Sequence, residues 1–144
     1  MKFISDDSHN DIYQLLCCHK YVVLFVNGPM GVGKTTFSRN LCNLFNGHSV
    51  NSSSFSLINI EFADRTIIHA DFYRQAFSYE LFEYEVLPHL SNSYIILFEW
   101  CKPLLLDNNA HHFTLDISYK DGSRQYVFKS FATPKSILAK RVYN

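Results

Sequence analysis

Two stretches of the chain are apolar without interruption, Tyr21–Val26 and Tyr94–Phe98, and neither alternates with polar residues. A strand that buries one face alternates, so such runs predict parallel strands covered by helices on both sides. Ile12, Leu15 and Leu16 share one face of a short helix that Asp6, Asp7 and Ser8 could cap. Phe37, Leu41, Leu44 and Phe45 mark a second helix with Gly47 as its stop. The next segment, "GHSVNSSS" at residues 47–54, is too polar for regular structure. "FSLINIEF" (55–62) and "TIIHADF" (66–72) read as two strands of a hairpin in one sheet. Ser78 caps a helix carrying Leu81, Phe82, Glu85 and Val86, which ends near Pro88. Period-2 runs on either side of Asp121-Gly122 predict a second hairpin over residues 113–131. Thr133-Pro134 predicts the start of a last helix. The expected architecture is α/β: a single P-loop NTPase-like domain over residues 1–144. Its central, mostly parallel sheet is flanked by helices, with an antiparallel hairpin near the C-terminus.

Between the first apolar strand and its helix stand Gly28, Pro29, Met30, Gly31, Val32, Gly33, Lys34 and Thr35. They fill every position of G-x-x-x-x-G-K-[ST], in the strand–loop–helix context that the motif needs. Glycines let the backbone curl so that successive N–H groups converge on a polyphosphate, and a helix opening near Lys34 adds its partial positive charge. Lys34 is expected on the β- and γ-phosphates and Thr35 on Mg²⁺, so the expected ligand is a nucleoside triphosphate.

A P-loop nucleotidase also needs a carboxylate at the end of a neighbouring strand to orient the metal or its water shell. Glu99 closes "YIILFE" and is the expected magnesium acid, against a solely structural role. Asp71 closes "TIIHAD"; it positions water, or it caps a turn or pairs with Arg74. Trp100, the only tryptophan, is a core residue or a site residue by virtue of its place beside Glu99.

Composition narrows the partners. Lys plus Arg and Asp plus Glu are 13 each in 144 residues, so no basic field announces direct nucleic-acid binding. No apolar run reaches the ~20 residues of a membrane span and no leader pattern opens the chain, so a soluble, cytoplasmic protein is expected. Cys17, Cys18, Cys42 and Cys101 form no C-x-x-C pair, and the seven histidines lack the spacing of a helical metal pair. Reduced structural cysteines are expected. An aromatic content of 16% points to a core of large residues.

The P-loop, "SSSFSLI" (52–58), "HADFYR" (69–74) and "FEW" (98–100) follow one another in an order that resembles the TsaE family over roughly residues 10–130. These are small bacterial ATPases of tRNA threonylcarbamoyladenosine formation. The resemblance implies ATP held by Gly28, Met30, Gly31, Val32, Gly33, Lys34, Thr35, Thr36, Ser54 and Trp100. It implies Mg²⁺ on Thr35 and Glu99, and Lys34, Asp71 and Glu99 in catalysis. It also implies partners like TsaB and TsaD, with tRNA met only indirectly. Two departures stand out. The family's S-P-T is Ser52-Ser53-Ser54, which loses a proline and a methyl, and Cys101-Lys102 follow where a proline or serine and then a glutamate are usual. Arg124 approaches the nucleotide from the last hairpin or is solvated surface.

Two other readings compete. Small-molecule kinases share a P-loop opening an α/β domain but usually carry an arginine-rich lid. Here Arg39, Arg65, Arg74, Arg124 and Arg141 are dispersed. A nucleotide-binding interaction module with little hydrolysis is the other.

Overall fold

The computed structural model describes residues 2–4, 9–46, 57–90 and 92–134. Strand β1 (Lys2–Ile4) and helix α1 (His9–Cys17) lead into β2 (Tyr21–Asn27) and helix α2 (Lys34–Asn46). Strands β3 (Ile58–Phe62) and β4 (Thr66–Asp71) precede helix α3 (Tyr79–Glu85) and a 3-10 turn (Leu87–His89). Then come β5 (Tyr94–Glu99), β6 (His111–Lys120) and β7 (Ser123–Ala132).

All seven strands form one sheet in the order β1-β7-β6-β2-β5-β4-β3. The four central strands, β6, β2, β5 and β4, run parallel, and each edge is closed by antiparallel pairing. Both expected hairpins are present, as β3–β4 and β6–β7. The parallel centre explains the two apolar runs. Val22, Leu24 and Val26 of β2 pack with Ile12 and Leu16 of α1 and Phe37 and Leu41 of α2. Val23 and Phe25 face the other way, among Phe98, Phe72, Phe82 of α3 and Val86 just beyond it. Every position of such a strand meets a hydrophobic layer, so none can be polar.

Ser78 caps α3 as expected, its hydroxyl accepting the Leu81 N–H at 3.1 Å. On α1 the expected face is narrower: Ile12 and Leu16 are buried, whereas Leu15 is exposed. A nine-residue helix resting on one neighbour buries positions four apart, and Leu15 lies off that line. The short β1 at the sheet edge has no counterpart in the hydrophobic pattern. The Asp6–Ser8 caps, Gly47, the loop of 47–54 and the helix beyond Pro134 lie outside the described residues. Cys42 and Cys101 are buried, and burial pushes their thiols up to about 12 and about 11. Cys17 and Cys18 are exposed, so a purely structural role fits only the other two.

The segment between β5 and β6 is anchored by the fully buried His112. Its Nε2 accepts the Leu106 N–H and its Nδ1–H donates to the Ala110 carbonyl, both at 3.1 Å, which fixes a neutral ring. Burial lowers the pKa of His112, and also those of His19 and His111, whose rings stack 3.8 Å apart beside Phe113. Below the unfolded value of about 6.5 the unfolded chain then binds more protons than the folded one. The stability these neutral rings supply is therefore present above that pH and is lost as pH falls. The urea midpoint should drop between about pH 7.5 and about pH 5.5, and the drop should shrink in the His19→Phe/His111→Phe double variant. An equal drop in both proteins would show that the stacked pair does not titrate in this way.

Candidate functional site: a phosphate loop between two parallel strands

The parallel strands β2, β4 and β5 all end on one side of the sheet, where their C-terminal residues meet the start of α2. Register places Val26 of β2 opposite Glu99 of β5, and Asp71 of β4 opposite Glu99 on the other side. A cleft of ≈ 420 Å³ opens there, lined by Met30, Gly31, Gly33, Lys34, Thr35, Thr36, Asp71, Tyr73, Glu99 and Trp100. Most of the sequence-derived site residues are therefore brought together. Gly28 lines an adjoining cleft that shares Lys34 and Trp100. Val32 is placed differently: its side chain is buried in the core and its N–H donates to the Pro29 carbonyl at 3.3 Å. Ser54 lies outside the described residues.

The loop needs its glycines for two separate reasons. Gly31 and Gly33 have φ of 80° and 106°, a region that side chains disfavour. At Gly28 the reason is space, since a Cβ would stand 2.5 Å from the Ile117 carbonyl oxygen of β6. The loop is thus pressed against the β6–β7 hairpin at its first residue.

Lys34 is only 5% exposed, and its ammonium turns back on the loop, donating to the carbonyls of Gly28 at 2.6 Å and Pro29 at 2.8 Å. Its Nζ also sits 4.1 Å from the centre of the Trp100 ring, a cation–π contact. Burial lowers its pKa, and the Glu99 and Asp71 carboxylates counter that by favouring the charge. Trp100 reaches this position because its backbone takes φ 58°, uncommon for a bulky residue and costing roughly 1–3 kcal/mol. The strand ends in a sharp turn that swings the indole over the lysine. Tyr73 packs against the same indole, with ring centres 4.9 Å apart.

Glu99 is fully buried, and both carboxylate oxygens are engaged. Oε1 accepts the Thr35 hydroxyl at 2.9 Å, and Oε2 meets Nε2 of His69. Asp71 is half-buried and lines the cleft, and its Oδ1 accepts the Tyr73 N–H at 2.9 Å in a local turn. His69 is the residue the sequence reading missed. It points to the same side of β4 as Asp71, two positions on, and that period-2 relation was the available signal. Arg124 also reaches the loop: its Nε–H donates to the Val32 carbonyl at 2.8 Å.

A triphosphate and magnesium fit this donor set. The cleft offers the N-terminal turn of α2, the Lys34 ammonium, the Thr35 hydroxyl and the buried Glu99 carboxylate, and Mg²⁺ takes few protein oxygens and completes its shell with water and phosphate.

No helix among the described residues is long and apolar enough to cross a membrane. In overall structure the chain is similar to Bacillus subtilis YdiB, with a TM-score of 0.60 over 99% of this chain and 95% of that one, at 17% identity. That likeness fixes the α/β fold. A tRNA threonylcarbamoyladenosine biosynthesis protein TsaE from Rickettsia conorii is 31% identical over 120 residues, 72% of this chain and 68% of that protein. Its namesake from Haemophilus influenzae is 31% identical over 93 residues, 62% of this chain and 58% of its own length. The model of the family described as threonylcarbamoyl adenosine biosynthesis protein TsaE matches residues 5–126, a span that holds the loop, both acids and the tryptophan, and the chain belongs to the TsaE family.

Proposed function

We propose that the chain is an ATP-binding, weakly ATP-hydrolysing accessory protein of tRNA threonylcarbamoyladenosine modification in the cytoplasm. In this reading it works with TsaB- and TsaD-like proteins and meets tRNA only through their complex. The observation that carries the reading is the Thr35–Glu99 hydrogen bond at the mouth of a complete phosphate loop, in a member of this family.

Each residue then has a task. Lys34 exchanges its own loop's carbonyls for the β- and γ-phosphate oxygens, which are better partners because they are charged. Thr35 and Glu99 hold Mg²⁺, which when bound spreads the phosphate charge. His69 keeps the Glu99 carboxylate aimed at Thr35, and Asp71 orients the attacking water from the neighbouring strand. The backbone N–H groups from Gly31 to Thr36 and the indole of Trp100 line the phosphates' path.

Turnover measured in three mixtures separates this reading from its rivals. Hydrolysis that rises when TsaB and TsaD are added supports it. Hydrolysis that rises only with a small hydroxyl acceptor makes the chain a kinase, and binding without turnover in any mixture makes it an interaction module.

Lys34→Ala should weaken Mg-ATP binding by about 10- to 100-fold, the worth of one hydrogen bond to a charged group. Calorimetry reads this directly, and an unchanged affinity in a folded variant would remove the phosphate-loop assignment. Glu99→Gln should keep the fold and raise the Mg²⁺ concentration for half-maximal hydrolysis, while Asp71→Asn should lower the rate with little change in that concentration. The opposite pattern would mean the two acids have exchanged roles.

His69→Ala leaves Oε2 of Glu99 buried without a donor and should cost about 1–3 kcal/mol in urea unfolding. His69→Gln, whose amide reaches the place of Nε2, should recover most of it. Equal losses in both variants would mean that His69 acts by packing alone.

A further inference from the structure

Strands β6 and β7 use their two faces differently. Phe113, Leu115 and Ile117 of β6, with Tyr126 and Phe128 of β7, join the core beneath α1 and α2. The alternate positions, Thr114 and Asp116 of β6 and Lys129 of β7, turn to the other face. There the apolar cluster around Phe98 and Phe82 draws on β2, β4 and β5, and none of its described members comes from β6 or β7. Polar alternate positions on a sheet face usually meet water. Thr114 departs from that rule: it is only 6% exposed, and its hydroxyl oxygen is buried with no hydrogen-bond partner among the described residues. A buried hydroxyl left unpaired is a cost to the fold, and it points to a group that is not part of this chain's own packing.

A cleft of ≈ 510 Å³ opens over this face, with Asn27, Pro103, Thr114, Asp116, Lys129 and Phe131 among its lining. It shares no residue with the cleft of ≈ 420 Å³ at the phosphate loop. Two of its walls carry opposite charges. Lys129 is paired directly with Thr114, and Asp116 with Val127, so Asp116 and Lys129 are diagonal neighbours, roughly 7–8 Å apart at their backbones. They form no ion pair with each other or with another described residue. Both charges are thus open to a small ligand between them, which must offer a cation to Asp116 and an anion to Lys129. An α-amino acid carries both on one carbon atom. Pro103 and Phe131, the latter 37% exposed, supply an apolar wall for its side chain. Thr114 stands opposite Lys129 and two positions from Asp116, and rotation about its χ1 exchanges methyl and hydroxyl, bringing the unpaired oxygen to the ligand's carboxylate.

We propose that this face of β6 and β7 binds a free α-amino acid, its ammonium on Asp116, its carboxylate on Lys129 and the Thr114 hydroxyl, and its side chain against Phe131. The site is separate from the phosphate loop, so the proposal goes beyond the function given above and does not rest on it.

Calorimetry on the full chain, without nucleotide or magnesium, should show saturable binding of at least one of glycine, leucine and phenylalanine. The tightest of the three is then compared with its own amide, which lacks the carboxylate, and its N-acetyl form, which lacks the ammonium. Each blocked form should bind at least about fivefold more weakly. Asp116→Asn should weaken the amino acid and its amide by about tenfold, the worth of a hydrogen bond to a charged group, and leave the N-acetyl form within about twofold. Lys129→Met should do the reverse, weakening the amino acid and its N-acetyl form by about two- to fivefold because the lysine is exposed, and its exposed position keeps the fold if the Asp116 variant fails to fold. Thr114→Val should weaken the amino acid a few-fold while the urea midpoint holds or rises, since it deletes an unpaired buried group. No saturable binding of any of the three amino acids would overturn the proposal. So would blocked forms that bind as well as the parent, or a Thr114→Val protein with a raised midpoint and unchanged affinity.

Discussion

A carboxylate sealed from water must find a partner for each oxygen, and in this fold that requirement falls on Glu99. Leaving either oxygen unpaired would cost several times the net gain of an ordinary hydrogen bond. The solution joins three elements: His69 of β4 on one oxygen, Glu99 of β5 in the middle, Thr35 at the first turn of α2 on the other. Parallel pairing makes this possible, because it brings the C-terminal ends of β4, β5 and β2 to one level of the sheet. The Thr35 hydroxyl, the group that the loop motif would offer to a metal, is thereby held beside the Glu99 carboxylate.

The lysine meets the same constraint in another way. An ammonium buried to this extent also needs acceptors, and it takes the carbonyls of Gly28 and Pro29 and the face of Trp100. The loop therefore satisfies this charge with its own groups. In the function proposed above, phosphate oxygens would displace these contacts, and the gain on binding would be the difference between charged and neutral acceptors and not the whole strength of the new bonds. For the nucleotide proposed above this means a smaller net gain on binding, and so an easier release.

Much of this was legible in the sequence, for identifiable reasons. The phosphate loop is local, so eight consecutive residues specify it. The double-sided burial of β2 and β5 is written in their unbroken apolar runs, and Asp121-Gly122 marks its hairpin with positive φ at both residues, 54° and 80°. What was not legible depends on register between distant strands. His69 faces Glu99 because β4 and β5 align Ile68 with Ile96 and Asp71 with Glu99, and no local pattern contains that alignment. Arg124 is the same case: its reach to Val32 depends on how far β6 and β7 extend beyond the end of β2. Val32 was read by motif position alone, whereas its side chain belongs to the core and only its backbone to the loop. Leu15 was read by periodicity on a helix with room to bury only one line of residues.

The rim of the cleft differs in character from its floor. Met30 is 66% exposed at the loop's tip, and Trp100 and Tyr73 stand beside it as a pair of exposed aromatic rings. An apolar rim around a polar floor is costly to leave in water and easy to cover. Covering it would expel water from around Lys34, Glu99 and Asp71, and every charge interaction there would strengthen as the local dielectric falls. A cleft left open to water keeps the same interactions weaker. In the function proposed above, a partner seated on this rim would strengthen those interactions, which is how assembly would raise hydrolysis.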